Sequence, residues 1–106
     1  MWLTVPDVAE RLRTTPARVR RLLEDKHLLA ARREGVLRIP EVFLHDDEPL
    51  PELRGTAILL ADSGFDDDDA VAWLLGEEDS LGTAPIDALR AGRKAEVRRV
   101  AQALAL

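Results

Sequence analysis

Between Arg11 and Arg38 the chain carries nine lysine and arginine side chains and only three carboxylates. Cations at this density suit a surface that binds phosphates, because each cation that meets a nucleic-acid phosphate releases a condensed counterion. The remainder of the chain has the opposite character. Residues 46–106 hold 14 acidic and 6 basic side chains, and the 106 residues together have a formal charge of −5. The basic segment is therefore a local feature that needs its own explanation.

Two helices are predicted at the start of the chain and within this basic segment. Apolar residues recur at helical spacing over 5–13, which predicts the first helix. Thr14 and Thr15 then precede Pro16, as expected where a threonine hydroxyl caps a helix whose first residue is proline. The second helix is expected over 16–25, with an apolar face turned inward and arginines on the other faces.

A small β-hairpin is predicted over residues 29–40, because the helical period ends after residue 28. Its turn is centred on Glu34 and Gly35, where glycine can adopt a positive φ. The residues expected on the core side are Ala30, Leu37 and Ile39, and those on the opposite side are Ala31, Arg33, Val36 and Arg38. Glu-Gly is a weaker turn signal than Asn-Gly, so a slip of one residue stays open.

The acidic segment 46–52 contains two prolines and predicts a linker between units 1–45 and 53–106. The second unit has helical patterns throughout, and its four predicted helices cover residues 53–61, 66–75, 85–91 and 93–104. The expected fold class is mainly α: a winged helix-turn-helix with a small two-stranded β-wing, followed by a carboxyl-terminal bundle of about four helices.

These parts, in this order, are those of a winged helix-turn-helix, whose second helix enters the major groove of duplex DNA. Ala17 is small enough for a close approach to DNA. Arg18 and Arg21 are the best candidates for base edges, because they lie in the first two turns and arginine can bridge two guanine acceptors. The other assigned contacts are Arg20 and Lys26 to phosphates, Thr14 and Thr15 as an anion site at the helix start, and Arg32, Arg33 and Arg38 to the backbone or the minor groove. Whether a given arginine meets a base or a phosphate stays open.

Two consequences concern charge. The acidic second unit is expected to face away from the DNA and to weaken indiscriminate binding. A phosphate group on Thr14 or Thr15 would place negative charge where the DNA backbone should lie. Such a modification is therefore expected to abolish binding.

The motif sequences LTVPDVAERLRTTPARVRRLL and LLAARREGVLRIPEVFL, within residues 3–44, resemble the winged helix-turn-helix of excisionase and the MerR group. The whole chain is similar to a family of small actinobacterial winged-helix DNA-binding proteins, through LRGT at 53–56, WLL at 73–75 and DSLGTAPIDALRAGRKAEVRRVAQALA at 79–105. This resemblance implies a non-enzymatic DNA-binding protein whose carboxyl-terminal domain has no established role. The chain lacks the long dimerising coiled coil of MerR proteins, so their symmetric half-site geometry is not implied.

A transcriptional regulator is the first hypothesis, and an adaptor or antitoxin-like module is the alternative. In the alternative, the main partner is a protein held by the carboxyl-terminal unit. Trp73 points away from Val71 and Leu75 on a helical wheel, so it either packs internally or anchors a protein partner. The segment PIDALRAGRKAEV faintly resembles the toxin-binding domain of certain antitoxins. Monomer and weak dimer both stay open.

Other chemistries find little support in the sequence. The chain has no cysteine, which excludes disulfides and thiolate metal sites. DDDDAVAWLLGE, residues 66–77, has carboxylates at calcium-loop positions 1, 3 and 12, but Val71 stands where that loop requires glycine. The aspartates are therefore interpreted as residues at the amino terminus of a helix, where the helix dipole stabilises them. No metal, cofactor or catalytic residue is predicted. Neither a signal peptide nor a membrane-spanning run is evident, which favours a cytoplasmic, nucleoid-associated protein.

Overall fold

The computed structural model describes residues 1–104, so the last two residues of the predicted carboxyl-terminal domain lie outside the described residues. The elements in chain order are β1 (Trp2–Thr4), α1 (Val5–Arg11), α2 (Pro16–Glu24), β2 (Ala31–Arg33), β3 (Val36–Pro40), a 3₁₀ turn (Glu41–Phe43), β4 (Leu44–His45), β5 (Glu48–Pro49), α3 (Leu53–Asp62), α4 (Asp67–Leu75), α5 (Pro85–Arg90) and α6 (Lys94–Ala103). This order confirms the predicted fold class.

The helix-turn-helix is fixed by local hydrogen bonds at both ends of α1. At its start, the Asp7 N–H donates to Thr4 Oγ1 at 3.3 Å and the Thr4 N–H donates to Asp7 Oδ2 at 3.0 Å, which is a reciprocal capping box. At its end, Arg13 adopts the left-handed conformation with φ 58°. The Thr14 N–H then donates to Ala9 O at 2.8 Å, which closes the helix and turns the chain toward α2.

The predicted hairpin forms in the predicted register. Ala31 lies opposite Arg38 and Arg33 lies opposite Val36. Both turn residues, 34–35, have positive φ values of 54° and 76°, as a two-residue type I′ turn requires. A third strand, β1, pairs with the other side of β3 and gives the sheet order β1-β3-β2. Sequence patterns did not predict β1, because three residues ahead of a helix are too few to show a strand period.

Four helices form the carboxyl-terminal unit, each within one residue of its predicted bounds at either end. Val97 and Ala101 of α6 are fully buried, and α6 packs along α3. The Arg98 side chain crosses α3 at Gly55, where any Cβ would collide with the guanidinium group. Gly55 thus leaves room for the Arg98 side chain between the two helices.

Residues 46–52, predicted as a linker, are ordered. β4 and β5 pair as a short hairpin, with Asp46 in its turn at φ 55°. Leu50 is buried and belongs to the same apolar cluster as Val8 of α1 and Leu60 of α3. Arg90 adds a polar contact between the units, because its Nη1 donates to the carbonyl oxygen of Leu44 at 2.7 Å. One shared core therefore sets the position of each unit on the other.

Candidate nucleic-acid interface

The outward face of α2 is basic. Val19 is its fully buried side chain, whereas Arg18, Arg20 and Arg21 are exposed. Ala17 joins two of these arginines, Arg18 and Arg21, around a shallow depression of about 250 Å³. Within residues 1–104 none of the three guanidinium groups forms an ion pair. The expected amphipathic arrangement is confirmed, and the three cations are available to an external anion.

The start of α2 is capped as expected. The Arg18 N–H donates to Thr15 Oγ1 at 3.2 Å, and Pro16 is the first helical residue. Proline has no N–H and the Arg18 N–H is already engaged, so the amide of Ala17 is the one left at the tip of the helix. Thr15 is exposed and Thr14 is half-buried. An anion placed here would meet the Ala17 amide and the threonine hydroxyls. This start of α2 therefore offers an anion fewer free backbone N–H groups than an uncapped helix start would.

Lys26 follows α2 in the left-handed conformation, with φ 67°. The His27 N–H donates to Leu22 O at 2.9 Å, which completes a Schellman motif at the end of the helix. The ammonium group of Lys26 lies 2.9 Å from Asp67 Oδ1. Lys26 is thus held by a carboxylate of α4, and a DNA phosphate would have to compete for it.

The three wing arginines have different surroundings. Arg33 stacks over the Trp2 ring at 4.4 Å from its centroid, which orients its guanidinium by a cation–π contact. The backbone N–H of Arg32 donates to Asp68 Oδ1 at 3.1 Å. Arg38 lies near Asp7 at the start of α1. Hydrogen bonds from Thr4, with a contribution from the charge of Arg38, hold the pKa of Asp7 below its ordinary value.

The acidic unit reaches the basic segment at the start of α4, and its expected orientation away from the DNA stays a prediction. Asp67 and Asp68 contact Lys26 and the wing strand β2 directly. Asp66 caps this helix by accepting from the Asp69 N–H at 2.8 Å, which confirms the predicted helix-start role of the run. Attraction between opposite charges accounts for the Lys26–Asp67 pair, whereas Asp68 accepts a hydrogen bond from the backbone N–H of Arg32.

A second acidic feature lies close to α2. Asp47 and Glu48 of the β4–β5 hairpin line a groove of about 510 Å³ together with Arg13, Thr14 and Arg18. The groove floor contains apolar side chains, including those of Leu12, Leu22 and Leu50. Acidic side chains therefore border the basic face at two places, the start of α4 and this hairpin.

Sequence reasoning missed several residues that shape the basic surface. The sequence predicts no role for Trp2, and it predicts Asp67 and Asp68 only as helix-start carboxylates. Their partners are 41 and 36 residues away in sequence, and no local pattern reveals such pairs. Trp73 is half-buried and packs against the apolar cluster, as internal packing requires, and its role in protein binding stays a prediction.

Metal-ligand clusters and membrane-spanning helices are both absent from residues 1–104. Among residues 1–104, no group of three or more histidine, aspartate or glutamate side chains is arranged to hold a metal ion. No helix in the same range has the length and apolar character needed to cross a membrane.

Comparison with known proteins connects both units to one family. Residues 1–44 match the model described as the wHTH domain of DNA-binding protein Rv2175c, and residues 50–105 match the Rv2175c C-terminal domain of unknown function. The chain belongs to the Rv2175c family. It is 35% identical over 114 residues to DNA-binding protein Rv2175c of Mycobacterium tuberculosis, an alignment that covers 95% of this chain and 78% of that protein.

The tertiary structure agrees with that assignment. The NMR structure of Rv2175c superposes with a TM-score of 0.90 at 33% identity, covering all of this chain and 82% of that one. The family resemblance predicted from the sequence is confirmed. The two Rv2175c domain models leave residues 45–49 between them, which is most of the β4–β5 hairpin.

Proposed function

We propose that this protein binds duplex DNA as a non-enzymatic transcriptional regulator, with α2 in the major groove and the wing on the backbone or the minor groove. The observation that carries the proposal is that Arg18, Arg20 and Arg21 are all exposed on one helix of a helix-turn-helix, since the major groove admits an α-helix. The description of the Rv2175c family as DNA-binding supports it.

The residues at the start of α2 and along its exposed side suit different contacts with DNA. Arg18 and Arg21 border the depression at Ala17 near the start of the helix, which supports assigning their guanidinium groups to base edges. Arg20 lies to one side and is assigned to a phosphate. The capped start of α2, with the Ala17 amide and the hydroxyls of Thr14 and Thr15, is assigned to a second phosphate.

The wing contributes cations at a second place on the DNA. Arg33 is held against Trp2, so little side-chain freedom is lost when it meets DNA, which favours binding. Arg32 is exposed, and its backbone is held by Asp68. Arg38 lies in the middle strand beside Asp7, where its charge is partly balanced. The wing contact is therefore assigned first to Arg33, then to Arg32, and last to Arg38.

Two finer points belong to the same proposal. A phosphate group on Thr14 or Thr15 would repel the DNA phosphate assigned to the same position, so modification there would switch binding off. Binding to chromosomal DNA would also place the protein at the nucleoid.

The test is binding to duplex DNA over a salt series. The logarithm of the association constant should fall linearly with the logarithm of salt concentration, by about 0.9 for each phosphate contact. The double variant R18A/R21A should lose most of the binding, whereas R99A, which removes an exposed arginine of α6, should not. An association constant that does not change with salt concentration would refute the proposal. Equal losses of DNA affinity in R18A/R21A and R99A would also refute it. Selection from a random duplex library would then identify the target sequence.

A further inference from the structure

Polar contacts from the carboxyl-terminal unit converge on the two elements assigned to DNA. Arg54, in the first turn of α3, donates from Nε to the carbonyl oxygen of Asp25 at 2.8 Å. Asp25 is the residue that closes α2, where a cation is favoured by the helix dipole. From α4, Asp67 pairs with Lys26 immediately after α2, and Asp68 accepts from Arg32 in the wing.

The contact between Asp68 and the wing supplies a hydrogen-bond acceptor that β2 lacks. This strand is at the edge of the sheet. Arg33 and Val36, which flank the two-residue turn, form a hydrogen-bonded pair, and the next pair, Arg32 and Leu37, does not. The N–H of Arg32 therefore points away from β3. An outward N–H on an edge strand lacks a backbone acceptor. Asp68 supplies one, at 3.1 Å.

Apolar packing holds α4 in place for this role. Ala70, Val71 and Leu74 are buried, and α4 packs against α3, α5 and the wing strand β2. Ala31 of β2 is 8% exposed although it lies on the face of the hairpin away from Ile39. Residues of α4, including Val71 and Leu75, lie beside it on that face. At the start of α4, Asp67 therefore contacts the residue that follows α2, and the adjacent Asp68 contacts the edge of the wing.

We propose that the carboxyl-terminal domain positions the DNA-binding elements: it holds the wing at a fixed place relative to α2, with Asp68 and Arg54 as positioning residues that do not touch DNA. This inference rests on the proposed function. A hairpin fixed before binding loses less conformational freedom on the DNA, so pre-organisation favours affinity. Under this proposal, some of the acidic side chains of the second unit have a structural role, because they hold the DNA-binding elements in place.

The decisive comparison is between D68A and D68N in the full chain. Both remove the same negative charge, and electrostatic repulsion alone predicts that both bind DNA more tightly, by the same factor. Asparagine keeps an oxygen acceptor for the Arg32 N–H, whereas alanine does not. We expect D68A to bind duplex DNA about fivefold more weakly than D68N, the factor that one hydrogen bond of ordinary net strength supplies. D69A is the matched control, because it removes a carboxylate from the same turn without removing a side-chain contact seen in residues 1–104.

A second measurement needs no DNA. Hydrogen exchange at the Arg32 amide should accelerate in D68A and stay slow in wild type, D68N and D69A. Equal DNA affinities of D68A and D68N overturn the inference while leaving the proposed function intact. If wild-type protein does not bind duplex DNA, the proposed function and the DNA-positioning role both fail. Hydrogen exchange at the Arg32 amide then tests the contact itself. If exchange in D68A is as slow as in wild type, Asp68 does not hold the wing.

Discussion

Lys26 and Asp67 form an ion pair at 2.9 Å between residues separated by 41 positions in the sequence. Their side chains are 30% and 54% exposed, so the pair contributes at most about 1 kcal/mol to stability. Its larger consequence concerns binding, because the cation that follows α2 already has a carboxylate partner inside the protein.

The first prediction follows from this competition. D67N should tighten DNA binding and steepen the salt dependence by up to about 0.9 in the log–log slope, because Lys26 then meets a phosphate without leaving a charged partner. D69N removes the same charge two residues further along α4 and leaves the ion pair in place. Salt titrations of the two variants should therefore differ in slope. Identical slopes would show that Lys26 does not contact DNA.

The second prediction separates base contacts from phosphate contacts on α2. R21A should cost about 1–3 kcal/mol at the preferred site and relax the preference at one base position. R20A should weaken binding to all sequences similarly and reduce the salt slope by about 0.9. Binding of each variant to a library of single-base-substituted duplexes measures both effects, with R99A as the control for loss of charge. A uniform loss in R21A would reassign that arginine to a phosphate.

The third prediction concerns the cap of α2. T15A removes the acceptor of the Arg18 N–H and should lower the free energy of unfolding by about 1 kcal/mol. T15D keeps an acceptor for that N–H, so it should remain folded, but its charge should abolish DNA binding as a phosphate group would. T15S should resemble wild type in both assays. Chemical denaturation and DNA titration report the two effects independently, and DNA binding by T15D would remove the anion site from this position.

The fourth prediction is a dependence of stability on pH. The pKa of Asp7 is lowered in the folded protein by its hydrogen bonds with Thr4. A lowered folded-state pKa means that this stabilisation is fully present above the unfolded value of about 4 and is lost as pH falls through the folded-state pKa. The difference in unfolding free energy between wild type and D7N should therefore shrink as urea denaturation is repeated below about pH 4. T4S keeps the hydroxyl and should behave as wild type. A difference that is constant with pH would exclude the capping box as its source.

Local signals in the sequence were sufficient for most of the secondary structure. Thr15 before Pro16 located the start of α2, and Glu34-Gly35 located the wing turn in the correct register. These signals succeed because capping and turn geometry are decided by residues within four positions of one another. β1 was missed, because its pairing partner β3 lies more than thirty residues away.

In the candidate interface, too, some features could be predicted from the sequence and others only from the tertiary structure. The sequence by itself determined that Arg18, Arg20 and Arg21 would share the outward part of an amphipathic helix, since helical periodicity follows from the order of residues alone. Only the tertiary structure decided that Lys26 is paired with Asp67, that Arg33 rests on Trp2 and that Asp68 holds the wing. Those contacts join separate elements through a shared core, and the packing of that core, which no local pattern encodes, sets which side chains meet.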